Sequence, residues 1–300
     1  MLLFHIFANC GAVWYKSASC CINKKSHRDM RIGVDLGGTN IVAGLVDGQS
    51  LIKKVKVSCP AKGTQEEVID AIASLIEQLI SDQVESIGVG VPSVVDTRNG
   101  IVYNVANIPS WVKVPLKDIL QDRFGKPVYI NNDSNCYTLG ESRFGHGQGI
   151  SDMVCVTLGT GVGSGIIIGG RLYEGRNAGA GEVGCLSYLD KDYESYCSTP
   201  FFVAHNTTGA ELSAKAEAGD PEAIALWNEF GGHLGELAKA ILFAYDPEAI
   251  IFGGGIAAGY PHFEAALRER IQTFPYETAK DVKIFFSTDG DMALYGASAL

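Results

Sequence analysis

From Arg31 onward, short apolar runs alternate with turn residues. RIGVDLG, IVAGLVD and LIKKVKVS read as three successive strands. The period then changes. Thr64 stands at an N-cap with Glu67 three residues on, a capping-box pattern, and Val68, Ile72, Leu75, Ile76, Leu79 and Ile80 recur on one helical face. A continuous apolar run, SIGVGV, predicts a buried strand. PLKDILQDRF predicts a helix, and PVYIN a further strand that ends in Asn131, Asn132 and Asp133. The order βββαβαβ predicts an α/β fold, a mixed sheet with helices on its faces.

The pattern then begins again. RIGVDLGGTNIVAGLVDGQSL and MVCVTLGTGVGSGIIIGGRLY align at an offset of 122, which pairs Val34 with Val156, Leu36 with Leu158, Gly37 with Gly159 and Gly48 with Gly170. A strand, a glycine turn, a second apolar strand and a second turn recur together. Helices follow around 209–218 and 221–244, then a strand at AIIF, a helix at 261–273, a strand at VKIFFS and a closing helix at MALYGASAL. The expectation is two related lobes facing each other across a cleft: residues 31–135 with 290–300 in the first, and 136–289 in the second.

The first 29 residues do not share this patterning. Their apolar start is too short to span a membrane and has no basic residue before it. They predict a disordered extension, upstream sequence read from too early a start, with Met30 as the natural beginning. A net charge of −10 argues against nucleic-acid and membrane-surface binders, which need clustered Lys and Arg. Eight cysteines without regular spacing in a chain of this length read as reduced thiols of a cytoplasmic protein.

Glycine is the compositional excess, 36 residues of 300 against an average of about 7%, and it gathers in two loops. DLGGTN places Gly37, Gly38, Thr39 and Asn40 in one strand-to-strand turn, and TLGTGVG places Thr157, Gly159, Thr160 and Gly161 in the other. Either turn alone reads equally as an ordinary hairpin. Their recurrence at repeat-related positions favours backbone amides turned toward a phosphate, with threonine hydroxyls as further donors. Asp35, at the end of its strand, is placed either to orient a hydrated Mg²⁺ or to cap the turn. There is no GxxxxGK[ST] P-loop. FGGGIAA fits GxGxxA, but too little chain follows it for a dinucleotide domain, so Gly253, Gly254 and Gly255 read instead as glycines lying against an adenine or ribose.

DLGGTNIVAGLVD, NNDSNCYTLGE, TLGTGVGSGIIIGGRLYEG, AGEVG and DPEAIIFGGGI occur in the order seen in the ROK family (repressor, open reading frame, kinase), and from about Met30 the chain resembles that family throughout. The resemblance implies a two-lobed actin-like ATPase fold (ribonuclease H-like) with a repeated βββαβαβα core and an interlobe cleft. It implies ATP and Mg²⁺, a small-molecule sugar as partner and a homodimer. It places the catalytic base on Asp133, which otherwise reads as a helix N-cap, and sugar contacts on Asn132, Glu182 and Asn107, with Trp111 beside the last as sugar-site or packing residue. It places the segment around Gly253 along the adenosine. The reaction implied is transfer of the ATP γ-phosphoryl group to a hexose 6-hydroxyl whose proton Asp133 removes.

The chain departs from the family pattern in one stretch, AGAGEVGCLSYLDKDYESYC. Many members have a histidine where this chain has Cys185, and then a CxCGxxGC segment that completes a structural zinc site. Here LSYLDKDY replaces that segment, and only Cys185 and Cys197 remain, so no zinc site is expected. Matching YESYCSTP to the family places a second sugar-binding acid on Glu194 and makes Cys197 a packing residue. Cys185 and Ser93 stand at positions that bear on sugar preference. The expected activity is that of a glucokinase or hexokinase. An N-acetylmannosamine or N-acetylglucosamine kinase is the nearest alternative, and a sugar-responsive repressor or a non-catalytic sugar binder are more distant ones.

Overall fold

The computed structural model describes residues 29–176 and 178–300. The expected extension, residues 1–29, lies outside the described residues except for Asp29. The first lobe opens with β1 (Met30–Leu36), β2 (Asn40–Asp47) and β3 (Ser50–Ser58), followed by α1 (Gln65–Glu77) and β4 (Val84–Val91). The Thr64–Glu67 capping box forms as the sequence implies. Next come three short strands, β5 (Val94–Asp96), β6 (Ile101–Tyr103) and β7 (Lys113–Val114), which make a small sheet of their own. Then α2 (Leu116–Phe124), β8 (Val128–Asn132) and α3 (Asp133–Phe144) close the repeat. The main sheet runs β3-β2-β1-β4-β8.

The second lobe repeats this plan with β9 (Met153–Leu158), β10 (Val162–Ile168) and β11 (Arg171–Leu172). A hairpin of β12 (Ser187–Tyr188) and β13 (Lys191–Asp192) leads to α4 (Tyr193–Cys197), α5 (Thr199–Ala204), α6 (Gly209–Glu217) and the long α7 (Pro221–Tyr245). After them follow β14 (Ala249–Gly253), α8 (Tyr260–Gln272), β15 (Lys283–Phe286) and α9 (Met292–Ser298). Its sheet order, β11-β10-β9-β14-β15, matches the first strand for strand. The internal repeat legible in the sequence is therefore a repeat of topology. The fold is α/β, the two-lobed actin-like ATPase architecture.

Each lobe has its own apolar core. Ile32, Val34 and Leu36 of β1 pack with α1, while Val154, Val156 and Leu158 of β9 pack with the α7 side. The opposite faces of the two sheets meet α3 and α9 in an exchanged arrangement. The helix that ends the first lobe lies chiefly on β9 and β10, and the helix that ends the second lies on β1, β4 and β2. Glycines make the close approach feasible. Gly33 pairs with Gly44 on one side and Gly88 on the other; Gly33 and Gly88 accept the α9 backbone, leaving no room for a Cβ, and Gly44 accepts the Leu294 side chain. Where the two helices cross, a Cβ on Gly296 would lie 1.6 Å from the Cys136 carbonyl oxygen, and one on Gly140 2.0 Å from that of Met292.

Candidate active site

The cleft floor is built from strand ends and the turns that follow them. In the first turn the Gly37 N–H donates to the Asn40 carbonyl at 2.9 Å; in the second the Gly159 N–H donates to Gly161 at 3.0 Å. These two amides close the turns and are spent. Among the described residues, the N–H groups of Gly38, Thr39, Thr160 and Gly161 donate to no protein acceptor, and the Thr39 and Thr160 side chains are exposed. A Cβ on Gly159 would meet nothing within 4 Å, so that face of the turn is open. The pair of turns offers unengaged donors and empty space, the requirements of a phosphate cradle.

Asp35 ends β1 beside the first turn. Burial, and next the Asp133 carboxylate, push it up to about 6, against a smaller opposing pull from the Lys54 ammonium, which is ion-paired with Asp291. Asp133 is the first residue of α3. Asn132 caps that helix, its Oδ1 accepting from the N–H groups of Ser134 at 2.9 Å and Asn135 at 3.2 Å. Burial raises the Asp133 carboxyl above its ordinary value, and Glu182 adds to this; the Ser134 N–H, donating at 2.8 Å, opposes it. Asp35 and Asp133, both raised chiefly by burial, are hard oxygen donors of the kind that Mg²⁺ takes.

On the far side of Asp133 the remaining acids gather. Glu182 is exposed, with Cys185 Sγ 4.0 Å from its Oε2. Partial burial, then Glu182, Glu194 and Asp192, hold the Cys185 thiol above its usual range, so it stays protonated and unreactive at neutral pH. Glu194 accepts from the Val162 N–H at 3.0 Å, and its carboxylate lies where a Gly161 side chain would start. Glu194 thus contacts the second glycine turn and adds its charge to the field at Cys185, beside Glu182. Asn107 packs on Gly38 at the other turn, whereas Trp111 is fully buried and packs in the first-lobe core. Asn132 Nδ2 donates to the Ser93 carbonyl at 3.4 Å. Beside this row a pocket of about 460 Å³ opens between the β5–β6 turn and Glu174, Gly175, Arg176 and Ala178.

The glycines at the end of β14 and just beyond it have separate duties. Gly254 sits at φ 84°, a left-handed conformation that favours glycine. Gly253 rests on the Tyr137 hydroxyl, which lies 1.9 Å from where a Cβ would be, and Gly255 faces open space. Tyr137 lies one turn along α3 from Asp133 and donates to the buried Glu141 at 3.1 Å. The helix carrying Asp133 therefore also supports this loop. Sequence reasoning passed over Tyr137, and also Glu174, which accepts from Asn131 Nδ2 at 2.6 Å.

In place of a zinc segment the β12–β13 hairpin carries an aromatic cluster. Tyr188 stacks on Tyr193 with centroids 4.4 Å apart, meets Tyr196 edge-on, and hydrogen-bonds His233 Nδ1 at 3.0 Å. Cys197 is buried and Cys185 exposed. Among the described residues, no three His, Cys, Asp or Glu side chains gather as a metal site.

Two lobes of like topology, each with its glycine turn, define a protein of the actin-like ATPase fold. More particularly, the chain belongs to the ROK family, whose profile matches residues 31–300. It is 34% identical over 275 residues to a glucokinase of Thermotoga maritima, covering 80% of this chain and 86% of that one. Among solved structures, a ROK family glucokinase from Streptomyces griseus in complex with glucose and AMPPNP is 30% identical with a TM-score of 0.74, covering 90% of this chain and 98% of that one. A ROK hexokinase from Thermus thermophilus is 29% identical with a TM-score of 0.76, over 90% and 96%. No helix among the described residues is long and apolar enough to cross a membrane.

Proposed function

We propose that this protein is an ATP-dependent sugar kinase that phosphorylates the 6-hydroxyl of a hexose, with Asp133 as general base. The observation that carries this reading is the placement of Asp133: first residue of a buried helix, between the glycine turns on one side and Glu182 on the other, with a carboxyl that burial raises above its ordinary value. A base works best with a pKa near the working pH.

In this reading Glu182 and Glu194 accept from sugar hydroxyls and fix the ring, with Asn107 and Asn132 bounding the site. Asp133 takes the proton of the 6-hydroxyl as that oxygen attacks the γ-phosphorus; the P–O bond to ADP breaks and the electron pair leaves with ADP. The free amides of Gly38, Thr39, Thr160 and Gly161 stabilise charge on the transferring group. Asp35, with Asp133 nearby, would hold Mg²⁺ through water, and that ion would supply charge neutralisation at the phosphates. Gly254 and Gly255 lie along the adenosine.

Glucose is the first substrate to test. N-acetylmannosamine or N-acetylglucosamine is the second, because Cys185 is small and exposed beside Glu182 and leaves room for a substituent. A coupled ADP-release assay over glucose, mannose, fructose and both N-acetylhexosamines decides between them. Turnover that depends on one sugar, and falls at least about a thousandfold in Asp133→Ala, is the expected result. Undiminished turnover in that variant would remove Asp133 from the chemistry.

A further inference from the structure

We infer that Glu174 is a positioning residue that clasps the two lobes beneath the sugar site and fixes the orientation of the Asn131–Asn132–Asp133 strand end. The inference rests on the kinase reading for its kinetic consequence, though not for its structural one. Glu174 follows β11 in the second lobe, and its carboxylate reaches two elements of the first. Its Oε1 accepts from Asn131 Nδ2 at 2.6 Å, and its Oε2 from Thr97 Oγ1, in the turn between β5 and β6, at 3.4 Å. Its own carbonyl accepts from Ala180 N–H at 3.2 Å, closing the loop that delivers Glu182.

The Asn131 amide cannot flip to suit another partner. It is 4% exposed, and its Oδ1 already accepts from the Asn132 N–H at 2.8 Å and from Asn135 Nδ2 at 3.0 Å. Its NH₂ must therefore point at residue 174, and that residue must be an acceptor. The short contact to a carboxylate is of the charge-assisted kind. The consequence runs along the backbone. Asn131 holds the Asn132 N–H, Asn132 caps α3, and the next residue is Asp133. Removing the Glu174 carboxylate leaves a buried donor unpaired beside the base and unties the loop of Glu182 from the small sheet.

The test compares Glu174→Ala with Glu174→Gln. A glutamine keeps an acceptor for Asn131 and can face its NH₂ toward Thr97 Oγ1, so it should rescue. Expected for the alanine variant is a fall in kcat of about tenfold or more, since small misplacements of reacting groups cost this much. The KM for ATP should stay within about twofold of wild type, because neither glycine turn touches residue 174, and the glutamine variant should stay within about threefold in kcat. Unchanged kcat in the alanine variant, or a glutamine variant as impaired as alanine, overturns the inference. Amide hydrogen exchange supplies the readout that does not need turnover. In Glu174→Ala the amides of Asn132, Ser134 and Asn135 should exchange at least about tenfold faster than in wild type, while those of α7 stay unchanged. Equal exchange at those three amides overturns the clasp even in an active enzyme. If wild type turns over no sugar, the kinase reading falls, and the exchange result still decides the clasp.

Discussion

At the scale of single residues, the site is governed by carboxylates that share a small volume. Asp35 is raised to about 6, first by burial and then by Asp133. An acid whose folded pKa lies above its unfolded value binds protons more tightly when folded, so its ionisation costs stability, progressively from about pH 4 to pH 6 and in full above that. Asp35→Asn should therefore stabilise the protein at pH 7 by about 2 kcal/mol without Mg²⁺, the gain vanishing below about pH 4, while turnover is lost. Thermal melts at the two pH values check this. The raised Asp35 carboxyl predicts that kcat/KM rises with pH through an apparent pKa near 6 and that activity falls as Asp35 takes up a proton below it. An acidic limb near pH 4 would contradict it. Asp35, Asp133 and Glu182 were legible because strand ends, turns and an ordered set of motifs mark them. Glu174 and Tyr137 were not, since their importance lies in what they touch across the lobe boundary, and a lone acid after a hairpin or a tyrosine within a helix carries no sequence period.

Among the elements, legibility followed amphipathicity. The helix α1 has one buried face and a capping box, and both its start and its type could be read directly. By contrast α3 has Ser134 through Glu141 buried on every side, polar residues included, so no apolar stripe announced the helix that presents the base. The sheet of β5, β6 and β7 was missed because its strands have two or three residues each, too few to show alternation. The β12–β13 hairpin was read by what it lacks, and its replacement is the tyrosine cluster around His233. Tyr188→Ala should lower stability by about 2 kcal/mol, since Tyr188 is only part-buried and would leave a cavity against Tyr193. A zinc chelator should leave the melting temperature of wild type unchanged. A chelator-induced drop, with Tyr188→Ala neutral, would mean that metal rather than stacking holds the hairpin.

On the scale of the whole molecule, the repeat in sequence became a repeat in strand order, and the offset of 122 residues was its visible trace. The exchange of α3 and α9 between sheets left a fainter mark: the glycines that permit it were counted in the composition but had no partner until the lobes were folded. Gly296→Ala would drive a methyl group into the Cys136 carbonyl and force the crossing helices apart. The expected cost is about 3 kcal/mol, read as a lowered denaturation midpoint, with lost turnover because α3 carries Asp133. A variant as stable and active as wild type would show that the crossing yields.

The exchange also sets an order of events during synthesis. The groove of Gly33, Gly44 and Gly88 is filled by α9, so the first lobe's sheet cannot be covered on that face until Met292–Ser298 has been made. A nascent chain stalled before Met292 should remain protease-sensitive between Met30 and Val91, and extension past Ser298 should protect that span. For this protein a helix made long after them determines when the first strands become native.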